Sequence, residues 1–150
     1  MSDLYSKYRY VLKSERVGEE GKAYFKGVLE KKVKITELRK ALAKLAVMLH
    51  SHHDREVIIL LDEYDNPIHN SFGLPHQDYV LSVMRDLLSA ALKNGEDYLK
   101  FGVVTGVMQI AKESIFSGLN NRHGLKGVVI LYGISFRGKT PYVLTETVQR

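Results

Sequence analysis

The chain has no cysteine and only three prolines among its 150 residues. Without cysteine there is no disulfide framework and no thiolate metal site. A reducing, cytoplasmic setting fits that lack. No apolar run approaches the length needed to cross a membrane, so no membrane partner is expected. The opening Met1-Ser2-Asp3-Leu4 does not read as a signal peptide. There is no internal repeat and no low-complexity segment. What is present is ordinary for a globular protein: 45% apolar and 26% charged residues, and enough length for a real core. The net charge of +5 is compatible with phosphate ligands or nucleic acid and diagnostic of neither. The basic residues are scattered rather than clustered, which argues against a nucleic-acid face.

One stretch organises the rest. Val57-Ile58-Ile59-Leu60-Leu61 runs straight into Asp62-Glu63-Tyr64-Asp65. A short, β-branched-rich run of this kind predicts a strand buried on both faces, as in a parallel sheet. The charges begin where the strand ends, so Asp62 and Glu63 belong at its carboxyl end, where open α/β sheets bind ligands. This is the form of a Walker B segment. Asp62 would hold a nucleotide's Mg²⁺ through water, and Glu63 would orient the attacking water. A plain strand end capped by carboxylates has the same letters.

Around this stretch the pattern predicts α/β architecture. Residues 4–30 read as helical, with Gly18 and Gly21 separating two short helices. Ile35, Leu38, Leu42, Leu45 and Leu49 recur at steps of three and four and predict a helix over 36–51, with Thr36 as its N-cap. At its end, His50, His53 and Asp54 could share one face as metal ligands. Histidines also complement a helix C-terminus, and that reading is adopted, so no structural metal is expected. A loop is expected over 64–76, broken by Pro67, Gly73 and Pro75. A helix over 77–94 follows, with Leu87, Leu88 and Leu92 inward and Asn94-Gly95 as its stop. Residues 98–104 predict a second strand. Strand, helix, strand implies a right-handed parallel crossover, which brings Thr105 to the edge that holds Asp62. A hydroxyl there could sense a terminal phosphate, or could be a simple strand-end threonine. In the tail, 128–132 and 142–145 predict two strands joined through Arg137-Gly138-Lys139 as a β-hairpin.

The octapeptide Gly133-Ile-Ser-Phe-Arg-Gly138-Lys139-Thr140 matches the phosphate-loop pattern letter for letter and follows a strand. In such a site Gly133 and Gly138 let backbone amides cradle phosphates, Lys139 reaches the terminal phosphates and Thr140 ligates Mg²⁺. The loop should then open a helix. Here Tyr142-Val143-Leu144-Thr145 favours strand instead. A shorter imitation at Gly18–Ala23 has its glycines too close together and no hydroxyl at the metal position.

Several of these segments together resemble the AAA-ATPase-like family. They are Val57–Ile68 with its LDEYD-N-P-I, Arg85–Lys93, Phe101-Gly-Val-Val-Thr-Gly-Val107, and Ala111–Asn121 with its Ser-Ile-Phe-Ser-Gly-Leu-Asn-Asn. Members are predicted P-loop ATPases common in bacterial genomes, often with a C-terminal PD-(D/E)XK nuclease-like domain. The resemblance covers roughly residues 1–121 and implies that Asp62 and Glu63 are the Walker B acids and Thr105 a sensor-like position. The family's own phosphate loop, upstream in an Arg-rich Phe-Gly-Lys-Ser context, has no match in residues 1–56. Residues 127–139 resemble the closing strands of the nuclease-like domain, without its acids.

The expectation is therefore a partial P-loop NTPase core over 1–121, with a small, mostly parallel sheet flanked by helices. A C-terminal hairpin over 122–150 completes it. Mg-ATP should bind weakly if at all, with little or no autonomous hydrolysis. One alternative is an active ATPase that uses Gly133–Thr140 as a permuted phosphate loop. Another is a fragment that binds nucleic acid, or that associates with another chain through an open sheet edge. A strand at 128–132 would fill the edge beside the sensor strand.

Overall fold

The computed structural model describes residues 1–93, 95, 97–106, 128–132 and 144–146. The fold is mixed α/β and divides into two compact units. One is Met1–Val57 with Asp86–Leu99, the other Ile58–Arg85 with Lys100–Arg150.

The first unit is helical. Helix α1 (Ser2–Ser6) and a 3₁₀ turn (Arg9–Lys13) lead to α2 (Glu19–Leu29), α3 (Ile35–Leu38) and α4 (Ala41–His53). Their apolar faces meet in a core that includes Tyr5, Val11, Phe25, Val28 and Leu45. The Tyr5 ring packs on Phe25 at 4.7 Å, and its hydroxyl donates to the carbonyl of Ala41 at 2.7 Å. That bond removes the penalty of burying a phenol.

Two expectations about these helices need correction. Gly18 does start α2, as its N-cap, but Gly21 lies inside the helix. Burial of Phe25 and Val28 outweighs the roughly 1 kcal/mol that an interior glycine costs. The helix expected over 36–51 is two helices, and Thr36 sits within α3 instead of capping it. The break is tight, with the Lys40 N–H bonded to Glu37 O at 3.1 Å. Periodicity does not reveal a break this short, and it also overstates Ile35, which is 49% exposed. Asp54 ends α4 in the left-handed conformation (φ 54°), its N–H bonded to His50 O at 2.8 Å. Asp tolerates that conformation better than most residues.

The helix predicted over 77–94 is α-helical only over Gln77–Leu88 (α6), then continues as a π turn, Ser89–Lys93. The Tyr98 hydroxyl donates to the carbonyls of Ala90 at 3.3 Å and Ala91 at 3.1 Å. That satisfies carbonyls a π turn leaves out of the α-helical ladder. Asn94 lies outside the described residues.

The apolar run forms strand β1 (Val57–Leu61), beside β2 (Leu99–Gly106), β3 (Val128–Tyr132) and β4 (Leu144–Glu146), in that order across one sheet. Strands β2 and β3 are parallel, with Gly102 opposite Val128 and Gly106 opposite Tyr132. Residues 128–132 thus lie beside the second strand, as expected. Strand β4 returns antiparallel, with Tyr132 opposite Leu144. The turn expected at residues 137–139 lies outside the described residues.

Strand β1 is not buried on both faces. Ile59 is buried, but Ile58 and Leu60 are 47% and 71% exposed. This is the alternation of an outer strand covered on one face only. The loop expected over 64–76 contains a short helix, α5 (Asn66–Ser71), with Pro67 in its first turn. Proline is tolerated there because its missing N–H would have had no helical partner.

Candidate functional site

The sequence brings its two carboxylates and its threonine to one edge of the sheet. Asp62 and Glu63 follow β1 directly and are exposed. Thr105, the last residue but one of β2, is 8% exposed. Its hydroxyl donates to Asp62 Oδ1 and accepts the Glu63 N–H at 3.3 Å. Its carbonyl accepts the Tyr64 N–H at 3.0 Å. Thr105 therefore fixes three consecutive residues of the turn. Because the chain leaves β1 level with the end of β2, both strands finish at the same edge, as parallel neighbours do.

The turn is held under strain. Glu63 has φ 51°, a left-handed conformation for a residue with a full side chain. Such outliers persist where surrounding contacts over-determine them, and they cluster at functional sites. The contacts here are those of Thr105 and of the buried pair Tyr64 and Asp65.

Gly106 is a member of the site that sequence reasoning missed. A Cβ there would lie 2.6 Å from Tyr64 Cε1 and 2.9 Å from Asp65 Oδ1. Only glycine lets the β2 backbone approach the turn so closely. The signal available was a glycine directly after an apolar strand and a threonine, which by itself reads as an ordinary strand end.

Among the described residues, no ion pair engages Asp62 or Glu63. Two adjacent, exposed, uncompensated carboxylates suit a hard divalent cation. Among those residues no group of three or more acids and histidines gathers as a ready-made metal centre. Mg²⁺ needs none, since it keeps several waters and takes one or two carboxylates with substrate phosphates.

The other candidate ligands fall elsewhere. Gly133, Gly138, Lys139 and Thr140 lie outside the described residues. The strands that flank them, β3 and β4, are antiparallel partners. His53 Nε2 meets the Tyr10 hydroxyl at 3.0 Å, His50 Nδ1 lies 2.9 Å from Arg55 O, and Asp54 pairs with Arg16 at 3.5 Å. These three side chains therefore have separate partners.

A family model described as Predicted AAA-ATPase matches residues 6–116. The chain belongs to this family. The matched segment contains Asp62, Glu63, Thr105 and Gly106 and ends before Gly133. Over 86 residues the chain is 33% identical to an uncharacterized protein in the vnfD 5′ region of Azotobacter chroococcum mcd 1. That alignment takes in 57% of this chain and 16% of the relative, so the chain spans about a sixth of the curated relative it matches. No solved structure matches.

Proposed function

We propose that this AAA-ATPase-like chain carries the magnesium- and water-handling side of an ATPase site, and that its phosphate-binding side is incomplete. The observation that carries the reading is the Thr105 hydroxyl, shared between Asp62 Oδ1 and the Glu63 N–H. Asp62 would hold a magnesium ion through water. Glu63 would orient the attacking water, and its backbone, held by Thr105, fixes where that carboxylate starts. Thr105 would sit closest to a terminal phosphate. Bound Mg²⁺ would neutralise charge on the phosphate oxygens. In P-loop proteins most nucleotide affinity comes from loop amides and a lysine, and residues 1–56 contain no loop of that pattern. Weak Mg-ATP binding and little autonomous hydrolysis follow.

A second reading has one observation in its favour. Strand β3 is parallel to β2, and its last residue, Tyr132, stands opposite Gly106 at the edge that holds Asp62. A permuted phosphate loop would need that placement.

ATP hydrolysis by the full chain and by Glu63→Gln distinguishes the two. The first reading predicts turnover at background in both. Turnover above background that Glu63→Gln abolishes would establish an active ATPase and contradict it.

A further inference from the structure

The helical unit holds a cavity of about 640 Å³ that the nucleotide reading does not use. Its volume is in the range of small-molecule sites, which are mostly apolar with a few placed polar groups. The walls come from the start of α2, one flank of α4 and the π turn, with Gly21, Ala43, Met48 and Ala90 among the lining residues. We propose that this cavity binds an apolar organic acid, its hydrocarbon body between α2 and α4 and its carboxylate at Lys40.

Three features keep the space open. Gly21 lies inside α2, where a Cβ would meet Val17 Cγ1 at 3.3 Å and Met48 Sδ at 3.4 Å. Ala43 and Ala90 add little bulk. The π turn, a form that recurs at functional sites, is secured by the Tyr98 hydroxyl through its bonds to Ala90 and Ala91.

The charges at the mouth select the head group. Lys44 is already engaged: it pairs with Glu37 at 3.1 Å and lies 4.0 Å from the Tyr24 ring centroid. Glu20, in the first turn of α2, complements its own helix dipole. Lys40 does the opposite. It is the N-cap of α4, the end of a helix that disfavours a cation, and its ammonium has no partner among the described residues. A carboxylate at that point would be met by the Lys40 ammonium and by the positive end of α4. The inference is independent of the ATPase reading.

The test titrates the full ¹⁵N-labelled chain with decanoate, 1-decanol and decyltrimethylammonium, followed by backbone amide shifts. Saturable shifts confined to α2, α4 and the π turn are expected, with decanoate binding at least tenfold more tightly than the other two. Lys40→Gln should remove that preference and leave decanol binding unchanged. Ala43→Leu should weaken all binding by filling the space, and Gly21→Leu serves as a second filling variant, both checked for native amide dispersion. Equal affinity for decanol, preference for the cation, or decanoate binding indifferent to Lys40→Gln would overturn the proposal.

Discussion

The hydroxyl of Thr105 is donated to Oδ1 of Asp62, from the end of one strand to the end of its neighbour. The same oxygen accepts the Glu63 N–H, so one side chain sets both the rotamer of one acid and the backbone of the next. Thr105→Val keeps the shape and removes the hydroxyl. It should cost about 1 kcal/mol, a typical net hydrogen bond, because Asp62 is exposed and its carboxylate can turn to water. Thr105→Ser should restore most of that loss. Urea denaturation of the two variants checks both.

Glu63 holds a left-handed backbone, with φ 51°. Glu63→Gly and Glu63→Ala remove the same carboxylate, but only glycine adopts φ 51° without steric cost. The glycine variant should be the more stable of the two by about 1 kcal/mol. Equal melting temperatures would show that the turn is not under strain.

Gly106→Ala should be destabilising by about 1–3 kcal/mol, because its Cβ would overlap the Tyr64 ring and crowd Asp65. The damage should appear first at the edge of the sheet. Amide exchange of residues 62–66 should rise more than that of the helical unit.

Stability should fall in alkali, and the sign follows from burial. Burial pushes the Tyr5 phenol well above its ordinary value of 10.0, and burial beside Glu37 pushes Tyr24 up to about 12. A raised phenol pKa favours the protonated native state, so this stability is intact below pH 10.0 and is lost as pH rises beyond it. In that window Tyr5 alone should contribute a slope of about 1.4 kcal/mol per pH unit. Tyr5→Phe should flatten the dependence above pH 10.0 while lowering stability at neutral pH by about 1–2 kcal/mol through the orphaned Ala41 carbonyl. Denaturation midpoints between pH 8 and 12 measure both.

The placement of Asp62, Glu63 and Thr105 at one sheet edge was legible because it follows from local pattern. An apolar run ending in Asp62-Glu63, and a strand-helix-strand spacing that brings Thr105 level with it, require only a short unbroken apolar run and a parallel crossover. The close approach of Gly106 to Tyr64 was not legible, because it joins residues forty-two positions apart in the chain, a contact no window can contain. The break between α3 and α4 was hidden by its own tightness, and the π turn by apolar residues that suit either helix. The exposure of Ile58 and Leu60 was missed because continuous apolar composition does not say how many layers cover a strand.

Mg-ATP binding measured by calorimetry on the full chain and on Lys139→Ala shows whether the phosphate-binding side is present. Weak or undetectable binding in both, unchanged by the substitution, is the result predicted for a site that keeps Asp62, Glu63 and Thr105 without a phosphate cradle. Tight binding that Lys139→Ala abolishes would contradict it, and would make Gly133–Thr140 the missing half.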